Sequence, residues 1–419
     1  MKRWLLACVS MLCMVALLVG CGNDTAKQGK HLNVGLYWFG ETLDPTHEWD
    51  AWTLTRIGAG ETLATVTPDM KFTGQLADSW ENIDPTTWKF HIRENVKFHN
   101  GTAMTPQKVK ESIEYTMKQS PRSAKAVKIE SITVDGQNLI IKTTEPNGSL
   151  LSSLTEPAFV IMDTADLKDV ASKPVLTGPY KITSFTKGES IELTAFADYW
   201  GGKPGLDSVT VKDIEDNNKR AMALQSKDVD VIQKVDSANR SLFKEGFNMQ
   251  DVSGVRVMML KVNHTEASPL HDKNVRSAVA HIINYDTMAK VIGGGALAGG
   301  APFPPSANLG YDGLSNKEVT DLAKANELLT QAGYVKNGNG IYAKDGKELK
   351  LTLAIWGKDT SMYEEIQQEL KQAGIAVELR KLQSPNEVDT LGVDAFDLVE
   401  RNVVTMSTND PYWFLSLFY

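Results

Sequence analysis

The chain of 419 residues is 42% hydrophobic and 23% charged, with a net charge of −8 and a mean hydropathy of −0.25. Such a length accommodates two or three domains with sizeable cores, and the balance excludes a small module, a disordered chain and a multispanning membrane protein. Lys and Arg are interleaved with acids throughout, so the sequence lacks the concentrated basic stretch that nucleic acid requires, and it has no nucleic-acid-binding motif.

Lys2-Arg3 precede an apolar run over 4–20, and the first acid is Asp24. A charged start and a short apolar core read as a signal peptide over 1–20 rather than a spanning helix. Leu18-Val19-Gly20-Cys21 resembles the bacterial lipobox, which implies cleavage before Cys21, acylation of its thiol and a tether over 21–30. The alternative is an ordinary signal peptide with an incidental cysteine. The three cysteines are Cys8, Cys13 and Cys21, so the exported part has no disulfide or thiolate site beyond the lipidated residue.

Beyond residue 31 the hydrophobic periodicity predicts strands at 31–38, 87–93, 138–144, 180–185, 190–195, 208–214, 255–262, 348–354, 376–380 and 395–399. Helices are predicted over 105–118, where Thr105 is an N-cap and Pro106 takes the first helical position, and over 215–227, 274–289, 318–333 and 361–373. The class is therefore α/β. Gly293–Gly300 ahead of Pro302 and Pro304-Pro305 is a loop, and its glycines do not match the dinucleotide-binding pattern. No repeat of 20–50 residues and no low-complexity segment occurs.

Catalytic signatures are missing. The seven histidines, His31, His47, His91, His99, His264, His271 and His281, fall in no HExxH or HxH pattern, and neither a GxSxG elbow nor a Walker A loop is present. A secreted hydrolase is the main rival class and an enzyme is not expected.

In chain order, Leu43-Asp44-Pro45, Glu61-Thr62-Leu63, Leu76-Ala77-Asp78-Ser79-Trp80, Thr87-Trp88-Lys89-Phe90, Val96 to Thr102, Thr177-Gly178-Pro179-Tyr180, Asp198 to Pro204, Val275-Arg276, Ala332-Gly333-Tyr334 and Asp410 to Leu415 mark the sequence. Together they resemble the large solute-binding proteins of bacterial ABC importers that serve peptides, nickel and opines (family 5). The resemblance implies a two-lobed, periplasmic-binding-protein-like clamp of class II with an enlarged first lobe: lobe one over 31–262 with an inserted subdomain at about 65–175, and lobe two over 263–419. It further implies a monomer outside the cytoplasm, in the periplasm or on the outer face of the cell membrane, that passes a small solute to a permease pair with ATPases. Family members continue well past the last landmark, so a partial sequence is expected and lobe two is expected to be incomplete. A surface adhesin that kept the fold is a third option.

The polar–aromatic segment after the first strand, Tyr37-Trp38-Phe39 and Trp49 to Thr53, lies where α/β sheets open their crevices. Trp49, Trp52, Thr53 and Arg56 are therefore candidate ligand residues, with core packing as the alternative. The resemblance adds the rest. Arg122 matches one of the arginines that clamp a metal chelate in nickel-type members, or is a surface residue after Pro121, while Val160 stands where a second would fall. Arg401 and Trp356 are the candidates from lobe two, with cover of the following helix as the alternative for Trp356. Ser407 occupies the position of the aspartate that anchors a peptide's ammonium, which lowers peptides and favours nickel or a metal chelate as transported solute. His47 is a candidate metal ligand. No resident cofactor is implied, and an oligopeptide or dipeptide receptor is the alternative.

Overall fold

In the computed structural model, the described residues are 29–236, 238–252, 254–299, 302–303, 320–357, 359–384, 386–406 and 408–416. β1 (His31–Leu36) leads through a long loop to the short helix α1 (Ala51–Arg56). The hairpin β2 (Ala64–Val66) and β3 (Phe72–Gly74) follows. β4 (Ala77–Asp84), β5 (Thr87–Ile92), helices α2 (Pro106–Gln119) and α3 (Pro121–Val127), then β6 (Ile129–Asp135) and β7 (Asn138–Thr143) build an antiparallel sheet of order β4-β5-β7-β6. Strict alternation puts Trp88, Phe90 and Ile92 of β5 on its buried face. Helix α2 covers that face with Val109 and Ile113, and its start is fixed as predicted: the Thr105 side chain accepts from Lys108 N, and Pro106 fills the first helical position.

After α4 (Leu150–Leu154), β8 (Tyr180–Thr186), β9 (Ser190–Ala195) and β10 (Ser208–Asp213) return to β1. Helix α5 (Asn217–Gln225) and β11 (Val231–Ile232) complete a sheet of order β11-β1-β10-β9-β8, in which β1 runs parallel to β10 and β11. Buried Arg220 pins the end of this unit by donating to the carbonyls of Ile214, Glu215 and Lys234.

The second half holds β12 (Arg256–Val262), α6 (Lys273–Ile282), α7 (Tyr285–Ile292), α8 (Leu322–Gln331), the small strands β13 (Val335–Lys336), β14 (Tyr342–Lys344) and β15 (Lys347–Glu348), and β16 (Lys350–Ile355). It closes with α9 (Ser361–Ala373), β17 (Ala376–Lys381), α10 (Asn386–Leu391), β18 (Leu398–Val404) and α11 (Tyr412–Ser416). Its sheet has the order β12-β18-β16-β17 and its own core of Val275, Leu329, Leu351, Leu353, Ile366 and Leu370.

Two expectations are corrected. The strand at 255–262 was expected to end lobe one, but β12 pairs along its whole length with β18, so the chain enters the second sheet before residue 263. An apolar run carries no information about a partner strand some 140 positions away. The helix expected over 274–289 is two helices: Ile283 is extended, and Asn284 caps α7 by accepting from Thr287 N. The halves also touch. The Ser152 hydroxyl donates to Thr408 O, and Asn409 Nδ2 donates to Met70 O at 2.9 Å.

Candidate functional site

The parallel strands β1 and β10 end together at Leu36 and Asp213, and the loop 37–50 leaves from that edge. Gly40 makes its fold possible, because a Cβ there would lie 2.6 Å from the Asp50 side chain. Asp50, buried to 4% exposure, accepts from Thr42 N at 3.0 Å and meets His47 Nδ1 at 2.8 Å. Thr53, fully buried, accepts from Gly40 N at 2.8 Å. The expectation that Thr53 hydrogen-bonds a ligand is therefore corrected: its hydroxyl is used inside the fold. The polar–aromatic segment is helical from Ala51, in α1, which carries Trp52 and Arg56.

Arg56 lies in the last turn of α1, where a cation complements the helix dipole. Its guanidinium carbon stands 5.9 Å from the centroid of Tyr37, 5.8 Å from Trp38 and 5.9 Å from Trp52. Three rings thus hold an exposed cation that makes no hydrogen bond or ion pair with the described residues. Aromatic faces stabilise the charge without using its N–H donors, which leaves a planar fork free for a carboxylate. Lys234, which the sequence reading did not single out, approaches the Tyr37 ring to 5.2 Å.

Arg122 is exposed, as its surface alternative expects, but its guanidinium is already engaged. It stacks on Trp49 at 4.1 Å, pairs through Nη1 with Glu156 Oε1 at 2.5 Å, and donates through Nη2 to Glu48 O at 3.2 Å. The arginine therefore braces the 47–50 loop against Glu156 before any solute arrives. His47 is half-exposed and bound to Asp50 through Nδ1. Among the described residues no group of three or more His, Cys, Asp or Glu is placed to hold a metal ion.

In the second half, β16 and β18 are parallel with Leu353 opposite Leu398 and Ala354 opposite Val399, which brings Trp356 and Arg401 to one edge. The Arg401 guanidinium carbon is 5.4 Å from the Trp356 ring centroid, a contact between residues predicted separately. Beside it Glu400 is buried, and desolvation pushes its carboxyl above the usual range against hydrogen bonds from Trp356 N–H and the Tyr363 hydroxyl. Neither Glu400 nor Tyr363 was singled out from sequence, since 37 positions separate them. Ser407 and Cys21 lie outside the described residues.

A cavity of about 250 Å³ is lined by Arg56 and Tyr180 with the aliphatic Leu32, Val34, Leu36, Leu206, Val209 and Val211. Its aliphatic wall offers a charged solute few partners.

The family profile described as bacterial extracellular solute-binding proteins, family 5 Middle, matches residues 71–419. The chain belongs to this family. Family membership carries the mixed α/β, two-lobed fold with it. The chain is 35% identical over 324 residues to the nickel-binding protein NikA of Staphylococcus aureus, a match covering 77% of this chain and 65% of that protein, just under two thirds of its length. Over 414 residues it is 27% identical to the glutathione-binding protein GsiB of Pectobacterium atrosepticum, covering 94% of this chain and 76% of that protein. The crystal structure of Staphylococcus aureus NikA in complex with Ni(L-His)2 superposes with a TM-score of 0.73 at 29% identity, covering 92% of this chain and 81% of that one. Both named relatives are binding proteins. Among the described residues of this family member no helix is long and apolar enough to cross a membrane.

Proposed function

We propose that this protein is the solute-binding receptor of an ABC importer, with nickel carried as a chelate as its favoured solute. The observation that carries this reading is Arg56, an exposed guanidinium held by Tyr37, Trp38 and Trp52 with no hydrogen-bonded partner among the described residues. A carboxylate-bearing chelate fits such a fork bidentately and brings its own metal ligands, so the protein need not supply a metal cage. The likeness to a nickel-binding relative supports the chelate.

In this reading Trp49, Trp52 and Arg56 form one wall, Trp356 and Arg401 the other, and Arg122 keeps the first wall in place. Ser407 lends a peptide no carboxylate, and His47 retains Nε2 as a single donor to a bound metal. The solute draws the lobes together because its contacts with both walls exist together only when they are shut. The chain acts outside the cytoplasm as a monomer, tethered to the membrane through lipidated Cys21, and passes its solute to a permease pair with ATPases; no covalent step is needed. The lobe containing β1 ends before β12, and residues 65–175 are its inserted subdomain.

The similarity to a glutathione-binding protein supports a second reading, a peptide receptor in which Arg56 takes a peptide carboxylate. Thermal unfolding separates the two. A solute that binds only the native state at a hundred times its dissociation constant adds about 2.7 kcal/mol. A midpoint raised by nickel with L-histidine, and by neither nickel alone nor di- to pentapeptides, supports the chelate. A rise with peptides alone overturns it.

A further inference from the structure

Two residues with side chains adopt the left-handed backbone region where the halves meet, Met70 at φ 60° and Asn409 at φ 60°. Asparagine visits this region readily, but an unbranched apolar residue such as methionine rarely does, and glycine would take the position without its steric penalty. Met70 closes the β2–β3 turn, in which its N–H donates to Thr67 O at 2.9 Å and Thr67 N–H donates to Lys71 O at 2.8 Å. Nothing in that hairpin requires a side chain at Met70. The side chain instead packs against the cluster of Phe303, Met406 and Phe414, which also gathers Val255, Met259 of β12 and Val403 of β18. The backbone of the same residue accepts from Asn409 Nδ2. Nearby, the Ser152 hydroxyl donates to Thr408 O, so α4 and the β2–β3 turn hold the same short segment after β18.

We infer that Met70 and Asn409 form a clasp between the lobes that is made of protein atoms alone and sets the fraction of molecules with lobes shut. The inference rests on the clamp reading of the receptor. Its consequence for binding is specific: apparent affinity scales with the fraction of the competent state, so weakening the clasp lowers affinity for every solute by one common factor. A residue of either ligand wall would instead discriminate between solutes.

The test uses the full chain with Met70→Gly, which removes the side-chain packing across the lobes but keeps the carbonyl, and Asn409→Gly, which removes the hydrogen bond; each relaxes its own turn. Small-angle X-ray scattering without solute is expected to show a larger radius of gyration for both variants, with circular dichroism unchanged. Titrations with nickel–L-histidine and with a tripeptide are expected to weaken by the same factor, about three- to tenfold, for whichever probe binds the parent. A radius identical to the parent's in folded variants overturns the clasp, as does a loss that differs between two solutes which both bind. If Met70→Gly lowers the circular dichroism signal, Asn409→Gly, in the other half of the chain, decides alone. Failure of both probes to bind would count against the proposed solutes, while the scattering comparison would still decide the clasp.

Discussion

Arg56 and Arg122 show how much a guanidinium's role depends on what already occupies its donors. Arg122 has a carboxylate, a carbonyl and an indole as partners; Arg56 has three rings and no hydrogen-bonded partner among the described residues. Arg56→Ala is therefore expected to weaken binding of a carboxylate-bearing solute by about ten- to a hundredfold, the equivalent of about 1.5–3 kcal/mol for a charge-assisted hydrogen bond. Titration calorimetry checks this, with Arg56→Lys falling between the two because it keeps the charge but not the fork. Arg122→Ala should lower the thermal midpoint, by about 1 kcal/mol of stability given its partial exposure, and an equal loss of affinity in both arginine variants would contradict the division of roles. The sequence shows arginines and tryptophans near the first strand but not which of them the fold has already satisfied. Glu156 lies 34 positions from Arg122, and Thr53 differs from Trp52 by its side of a helix that the polar composition of the segment concealed.

A different residue sets the acid behaviour. His99 is buried, makes a 2.9 Å hydrogen bond through Nε2 to Gly178 O, and is held down at about 4 by desolvation. The native state therefore resists a proton that the unfolded chain accepts below about 6.5. Stability attributable to His99 is fully present above that value and is lost as pH falls from about 6.5 to about 4, at most about 3 kcal/mol. Asp163 acts at lower pH: burial pushes it up, but Lys108, Asn100 and Thr102 outweigh that and hold it at about 2. Its contribution is present above about 4 and disappears as pH falls toward 2. Chemical unfolding followed from pH 7 to pH 4.5 should show the first loss, and a His99→Gln variant should show a shallower slope over that window. An unchanged slope would assign the loss to other groups.

At the scale of elements, local signals and distant ones separate cleanly. Nine of the ten strands and most of the helices predicted from periodicity exist within a few residues of their expected ends, while the strand expected at 395–399 lies at Leu398–Val404; alternation and capping act over neighbouring positions, and Thr105, Pro106 and Val109 suffice to start α2. What escaped was pairing, together with strands such as β4 and β6 whose mostly exposed residues show no buried alternation. β12 joins the second sheet only because β18 lies beside it, and α6 stops where extended Ile283 interrupts an otherwise continuous apolar stripe. The Thr177-Gly178-Pro179-Tyr180 landmark gains a physical reason here: a Cβ on Gly178 would lie 2.5 Å from both Gly58 O and Ala59 O, and backbone cannot yield as a side chain can. Gly178→Ala should cost about 1–3 kcal/mol, as overpacking typically does, by forcing β8 away from the 58–60 segment. Gly101→Ala, which meets no atom within 4 Å but sits at φ 85°, tests strain alone. Equal midpoints for the two variants would mean that the close approach is not what the glycine serves.

For the whole molecule, the decisive feature is that its apolar interior is divided. Leu63, Phe90, Ile113 and Phe159 belong to one cluster, Leu36, Leu54, Ile191 and Val211 to a second, and Val275, Leu351, Ile366 and Leu370 to a third around the other sheet. Among the described residues the second and third clusters share no side chain, and the halves are joined by the small Met70–Phe414 cluster and the hydrogen bonds from Ser152 and Asn409. Cooperativity across the molecule therefore depends on a contact much smaller than either core, and unfolding of the solute-free protein should not follow a single two-state transition. Differential scanning calorimetry should resolve at least two transitions, with a van't Hoff enthalpy below the calorimetric one. A solute that touches both walls adds free energy only while both lobes are native, so saturating it should raise the earlier transition more than the later one and bring them together. A single transition in the solute-free protein, coincident by calorimetry and tryptophan fluorescence, would show that the joint couples the lobes far more strongly than its few contacts imply.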